Sequence, residues 1–290
     1  MRNQLNPGKN MERAVWFGGS LTTCRHIALA AFALTFNGAV LATDLIDPIS
    51  QERSVSGIAK AYDNFYYETN DIEDAATDFR PYRYDDTAVA TVLGASSSGG
   101  GRQTSSINAN SLVAMGGAHG DTEAWAFNGW GDSTSESIYN VSFEITAHVR
   151  ARVAGTIRAY DSSYAETLLV GPQQALFAEL AFGPSDEVIF DETLWLPPGQ
   201  YRFSVLANGN THGTMTAADT ASAEYDVVLQ LCPAGDIDES GTIDVADLAA
   251  LLAGYGTGQT PAEGDLNADG FVDLTDLAIL LANYGMSCTV

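Results

Sequence analysis

VSFEITAHVR, residues 141–150, decides the fold of most of this 290-residue chain. Val141, Phe143, Ile145, Ala147 and Val149 alternate with Ser142, Glu144, Thr146, His148 and Arg150. Successive strand side chains point to opposite faces, so this reads as a strand with one buried and one wet face, His148 among the outward set. Val153, Ile157 and Ala159 continue the pattern after a short break. Leu194-Trp195-Leu196 runs into the turn Pro197-Pro198-Gly199, and Tyr201, Phe203, Val205 and Ala207 resume the alternation. Tyr225, Val227, Leu229 and Leu231 make a last strand. The Gly- and Ser-rich stretches 96–101, 116–117 and 129–132 read as breaks between strands. No useful amphipathic helix interrupts residues 43–231, so the expectation is a mainly β chain, an antiparallel β-sandwich of jelly-roll type.

Beyond residue 231 the composition changes. Residues 232–290 are rich in Asp, Leu and Ala and hold no Lys or Arg. GDIDESGTIDVADLAALLAGYG begins at Gly235 and GDLNADGFVDLTDLAILLANYG at Gly264, an ungapped repeat offset by 29 residues. In the first copy Asp236, Asp238, Ser240, Thr242, Asp244 and Asp247 occupy loop positions 1, 3, 5, 7, 9 and 12, with Gly241 at the sharp turn. In the second, the same positions are Asp265, Asn267, Asp269, Phe271, Asp273 and Asp276, with Gly270 at the turn. Alternating oxygen donors, a carbonyl at position 7 and a returning carboxylate suit Ca2+, which takes six to eight oxygens. No sulfur or imidazole is on offer for zinc. Each loop runs into a helical stripe, Leu248, Leu251, Leu252 and Tyr255, then Leu277, Leu280, Leu281 and Tyr284, stopped at Gly256 and Gly285.

Over residues 233–286 these paired units resemble the type I dockerin family. The resemblance implies a small all-α module of two calcium loop–helix halves without an entering helix, binding two Ca2+ ions. It also implies attachment of a secreted protein to a cohesin domain. Cellulosomal members often carry Ser-Thr at loop positions 10 and 11 and Lys-Arg further along the helix. Here those positions are Val245-Ala246 and Leu274-Thr275, then Leu252-Ala253 and Leu281-Ala282. The expected partner surface, Val245, Ala246, Leu252, Leu274, Thr275 and Leu281, is therefore apolar. It could meet a cohesin-like domain, this protein's own sandwich, another copy or an unfamiliar receptor.

The N-terminus has the pattern of a secretory signal. Arg2, Lys9, Arg13 and Arg25 precede an apolar run, residues 27–41, that ends at Ala42 with small residues where a peptidase cuts. Translation from Met1 or from Met11 gives the same run. Export with cleavage after Ala42 leaves nine basic side chains against 36 acidic ones, a net charge of −27, with Lys60 the one lysine. Such a surface repels nucleic acid, and no later stretch is apolar enough for membrane insertion. Cys24 leaves with the signal, and Cys232 and Cys288, bracketing the acidic repeat, are expected to pair as a disulfide. The expected domains are thus 1–42, 43–231 and 232–290.

For residues 43–231 no reaction is legible. His119, His148 and His212 are scattered, without HExxH spacing, and there is no GxSxG elbow. The chain is expected to be non-catalytic and to serve extracellular attachment. Trp125, Phe127 and Trp130 around Gly129, with Tyr62, Phe65, Tyr66 and Tyr67, leave open a carbohydrate-binding surface, with Trp125 and Trp130 as candidate platforms. A polysaccharide-degrading sandwich enzyme is the third alternative.

Overall fold

Two antiparallel six-stranded sheets, packed face to face, make up the bulk of the protein in a computed structural model that describes residues 44–126, 128–215 and 217–288. The expected signal segment, residues 1–42, lies outside the described residues, as does Phe127. The strands are β1 (Asp47–Tyr62), β2 (Tyr67–Ala75), β3 (Tyr82–Val92), β4 (Ala95–Ile107), β5 (Ser111–Ala124) and β6 (Trp130–Ile145). They continue as β7 (Val149–Asp161), β8 (Ser163–Val170), β9 (Ala175–Phe182), β10 (Asp186–Leu196), β11 (Gly199–Thr214) and β12 (Asp219–Pro233). One sheet has the order β2-β1-β6-β11-β8-β9 and the other β10-β7-β12-β5-β4-β3.

The alternation read at residues 141–149 spans two strands rather than one. β6 ends at Ile145 and β7 begins at Val149, in the opposite sheet, so residues 146–148 are the crossover. Ala147 is exposed there, and His148 is half-buried in the turn instead of facing out from a strand. Both strands still bury their apolar set. Tyr139, Val141, Phe143 and Ile145 from β6 meet Val149, Ala151, Val153 and Ile157 from β7, with Tyr201, Phe203 and Val205 of β11 and Tyr225, Val227 and Leu229 of β12. Each large side chain so buried contributes about 1.5–3 kcal/mol of transfer free energy.

Glycine runs expected as breaks lie inside strands. Residues 96–101 belong to β4, residues 116–117 to β5 and residues 131–132 to β6. The reason is close approach of the sheets. A Cβ on Gly57 of β1 would come within 2.2 Å of the Gly99 carbonyl oxygen in β4. Beside this contact the core is filled by Ala59, Ala61, Ala88, Ala90 and Ala95. Gln103 donates to the Tyr225 hydroxyl at 3.0 Å, and that hydroxyl lies 2.7 Å from Ser137 Oγ. Burial, outweighing these bonds, pushes the Tyr225 phenol up to about 12.

The acidic repeat follows β12 directly, so the boundary expected at 231/232 falls within a strand. It contains α1 (Val245–Gly254) and α2 (Leu274–Ala282), linked through a 3-10 turn at Pro261–Glu263. A second small core, Ala234, Ile243, Leu251, Leu266, Val272 and Leu280, holds it together, with Trp195 of β10 packed against it. Among the described residues no helix is long and apolar enough to cross a membrane.

Candidate metal centre and aromatic cleft

Each loop turns where its sequence permits a left-handed backbone. Gly241 and Gly270, at position 6, have φ of 84° and 90°, and Glu239 and Ala268, at position 4, have φ of 60° and 58°. The loops then enter their helices by the same device. Asp244 accepts the Ala246 N–H and Asp273 the Thr275 N–H, each at an N-cap completed by the acid three residues on. Asp244 and Asp273, expected as metal ligands at position 9, thus also cap the helices that follow.

The acids at position 12 are fully buried. Asp247 accepts the N–H groups of Ile237, Asp238 and Asp244 at 2.7, 3.1 and 2.8 Å. Asp276 accepts those of Leu266, Asn267 and Asp273 at 2.8, 3.2 and 2.8 Å. At position 1, Asp236 receives the Gly241 N–H and Asp265 that of Gly270. The halves also cross-pair. Ile243 donates to the Met286 carbonyl and Val272 to that of Gly258, each joining one loop to the segment behind the other helix.

Asp236, Asp238 and Asp247 bring carboxylate oxygens within 4.8 Å of one another, two of these residues being buried. Ser240 lies beside them, its N–H on Asp238 at 3.0 Å and its hydroxyl on the Thr242 carbonyl at 3.2 Å. In the second loop Asp269 donates its N–H to both Asp265 and Asn267, and Phe271 donates to Asp269. The donor set is oxygen throughout, which fits a hard divalent cation. Asp236, Asp238, Asp247 and Ser240, with the Thr242 carbonyl, would hold one. Asp265, Asn267, Asp269 and Asp276, with the Phe271 carbonyl, would hold the other.

Outside the loops the expected helical stripes divide. Leu251 and Leu280 are buried, whereas Val245, Leu252, Leu274 and Leu281 are more than half exposed. Ala246 and Thr275 are exposed beside them, so the six residues expected to meet a partner all face solvent. Cys232 and Cys288 are joined, with Cα atoms 5.4 Å apart. Sequence reading did not single out Arg150, whose guanidinium pairs with the Asp236 carboxylate and donates to the Asp236 carbonyl at 3.1 Å. His148 lies close enough to feel Asp265. Burial holds its imidazole below the ordinary range, and Asp265 opposes that shift.

At the end of the sandwich remote from this repeat, aromatics gather on the outer face of the β1–β6–β11 strands. Trp130 stacks with Tyr62 at 5.5 Å and 24°, and lies 6.5 Å and 28° from His212. Tyr67 leans on it at 6.5 Å. His212 Nδ1 pairs with Asp132. Together with Asn128, Gly129, Thr214 and Met215, these residues (Tyr67 apart) line an open cleft of about 620 Å³. Trp125 stands on the neighbouring loop, 56% exposed, its indole N–H bonded to the Leu93 carbonyl at 2.9 Å. The two tryptophans expected as candidate platforms thus have different settings; Tyr62, named with them, shares the setting of Trp130, as do Asp132 and His212, which sequence reading did not connect with it.

No family model matches the chain, and no curated protein matches it. Among solved structures it is similar to the enzymatically active domain of tailspike protein 4 from bacteriophage CBA120, at 11% identity and a TM-score of 0.19. That likeness covers 40% of this chain and 16% of the tailspike chain. A carbohydrate-binding module, TmCBM61, in complex with β-1,4-galactotriose is similar at 9% identity and a TM-score of 0.19, over 37% of this chain and 73% of that one. The chain therefore spans only a small part of the tailspike domain, and likenesses this slight carry no argument about function.

Proposed function

We propose that residues 232–288 form a dockerin-type module that closes around two Ca2+ ions and docks an exported, non-catalytic jelly-roll protein onto a protein partner outside the cell. One observation carries this: three carboxylates, Asp236, Asp238 and Asp247, converge within 4.8 Å in a loop whose backbone turns recur in the second repeat. Bound calcium would offset the repulsion of a segment with ten acids and no bases, and so stabilise its fold by mass action. Val245 and Leu252, repeated as Leu274 and Leu281, then offer the partner exposed apolar side chains on both helices. The partner would be a cohesin-like domain or another receptor with an apolar seat. The wound order β5-β12-β7-β10 over β6-β11-β8-β9 supports the jelly-roll reading of the sandwich. Titration calorimetry on the full chain tests the calcium reading. Two ions should bind, Asp236→Ala combined with Asp265→Ala should abolish the heat, and a silent wild type would refute it.

A second reading concerns the aromatic cleft. Tyr62, Trp130 and His212 form a ring row beside a paired carboxylate on an outer sheet face, which suits a neutral sugar chain through stacking and hydroxyl contacts. The module would then carry a polysaccharide-binding domain to its place of attachment.

A further inference from the structure

The two repeats are alike in backbone but not in what faces them. Arg150, near the start of β7, is largely buried against the first loop, its side chain 13% exposed. One guanidinium nitrogen pairs with the Asp236 carboxylate, itself 1% exposed, and the other donates to the Asp236 carbonyl and lies 3.7 Å from Glu239. The equivalent acid of the second loop, Asp265, is also buried, but accepts backbone N–H groups from Asp269 and Gly270. Among the described residues it has no arginine or lysine partner. At the ligand positions each loop carries four aspartates, Asp236, Asp238, Asp244 and Asp247 in one and Asp265, Asp269, Asp273 and Asp276 in the other. At these positions, with Arg150 counted, the first set carries −3 and the second −4; Glu239, at position 4 and 72% exposed, brings the first loop as a whole to −4 as well.

We infer that Arg150 makes the two calcium loops unequal: it holds the empty first loop closed against the sandwich and weakens that loop's grip on the cation. This rests on the calcium reading proposed above. The reasoning is electrostatic. Without metal, the guanidinium offsets one buried carboxylate and relieves repulsion among its neighbours. With metal, a doubly charged ion must share Asp236 with a fixed positive charge. Calcium affinity in such loops follows ligand charge and rigidity. A unit charge acting on a divalent ion a few ångströms away through water-like dielectric changes affinity about tenfold. The second loop therefore fills first as calcium rises, and the first loop stays docked on the sandwich whether or not it is filled. Arg150 is a positioning residue in this scheme, acting through Asp236.

The test is calorimetry and thermal melting on the full chain. Wild type should take up two calcium ions in steps about tenfold apart, and Asp265→Ala should remove the tighter step. Arg150→Met should tighten the weaker step about tenfold, leave the other unchanged, and lower the melting temperature in excess EDTA. An arginine with only a structural role would weaken binding as well as stability when removed. Arg150→Lys, which retains the charge, should keep the weaker step weak. Equal wild-type steps, or an unchanged or weaker first loop in Arg150→Met, would overturn the inference while leaving calcium binding intact. No calcium uptake by wild type would instead overturn both.

Discussion

Arg150 and Cys232 are direct cross-strand partners near the ends of β7 and β12, so the guanidinium that pairs with Asp236 and the sulfur joined to Cys288 leave the sandwich at one point of one of its ends. The acidic repeat is thereby fastened twice at its start, by an ion pair and by a bridge that returns its far end to the same strand. Trp195, packed on the repeat's own core, adds a third contact.

Cutting the bridge should loosen the repeat without melting the sheets. It closes a loop of 56 residues, for which the loss of unfolded-state freedom is worth about 2–4 kcal/mol. Cys288→Ser is expected to speed amide exchange in α1 and α2 without calcium, while amides of the β4–β5 ladder keep their protection. Equal deprotection throughout would show that repeat and sandwich unfold as one unit.

The two acids at loop position 12 should matter before any metal arrives. Asp247 satisfies three backbone donors in a buried setting, and leaving each unpaired costs about 1–3 kcal/mol. Asp247→Ala is expected to abolish the helical circular dichroism of the first repeat even in EDTA, and Asp276→Ala that of the second. Asp247→Asn keeps an acceptor in place. It should retain the helix but lose calcium-induced stabilisation.

Much of this arrangement is legible in the sequence, and its failures have one cause. Val141, Phe143, Val227 and Leu229 announce a half-buried strand because each needs only its own neighbours to define a face. The repeated Asp236 and Asp265 loops are legible for the same reason, since donors and turn lie within a dozen residues. The run at 96–101 is not, because glycine marks both a turn and a close approach. Only Gly57, some forty residues away, decides between them. Arg150 likewise reads as one more outward residue until β7 is placed beside β12.

Buried Arg53 yields a stability prediction. It donates to Gln51 at 2.7 Å, to the Arg80 carbonyl at 2.9 Å and to the Asp78 carbonyl, tying β1 to the segment before β3. Burial lowers the guanidinium's affinity for its proton, and nearby Asp78 is among the groups that oppose the shift. Arg53→Met should cost about 2–4 kcal/mol by urea unfolding, chiefly through orphaned carbonyls. A loss below half of that would mean the 76–80 segment re-pairs with water.

His119 sets a pH dependence. It is half-buried in β5 with Nε2 3.1 Å from Thr87 Oγ1. Burial holds the imidazole below its ordinary value, opposed by Asp85 and assisted by Arg102. In the unfolded chain it titrates near about 6.5. Above that pH it contributes no pH dependence; below it the unfolded chain takes a proton the native protein resists, and stability falls. Wild type should therefore lose more stability than His119→Gln between pH 7.5 and pH 5. Parallel urea midpoints would remove His119 from the account.

The cleft tests which ring a sugar would meet. Trp130 has Tyr62 on one side and His212 on the other, so its faces are largely occupied and the flanking rings hold the free ones. If the cleft binds neutral polysaccharide, Tyr62→Ala and His212→Ala should each weaken retardation in gels containing xylan, galactan or mixed-linkage glucan, by about tenfold or less. Trp130→Ala should act indirectly, by letting both neighbours collapse. Trp125→Ala, on a separate loop and tied to the Leu93 carbonyl, should leave retardation unchanged. Free migration of wild type in all three gels would end the reading for this cleft. Retention lost only with Trp125 would move the site to the neighbouring loop.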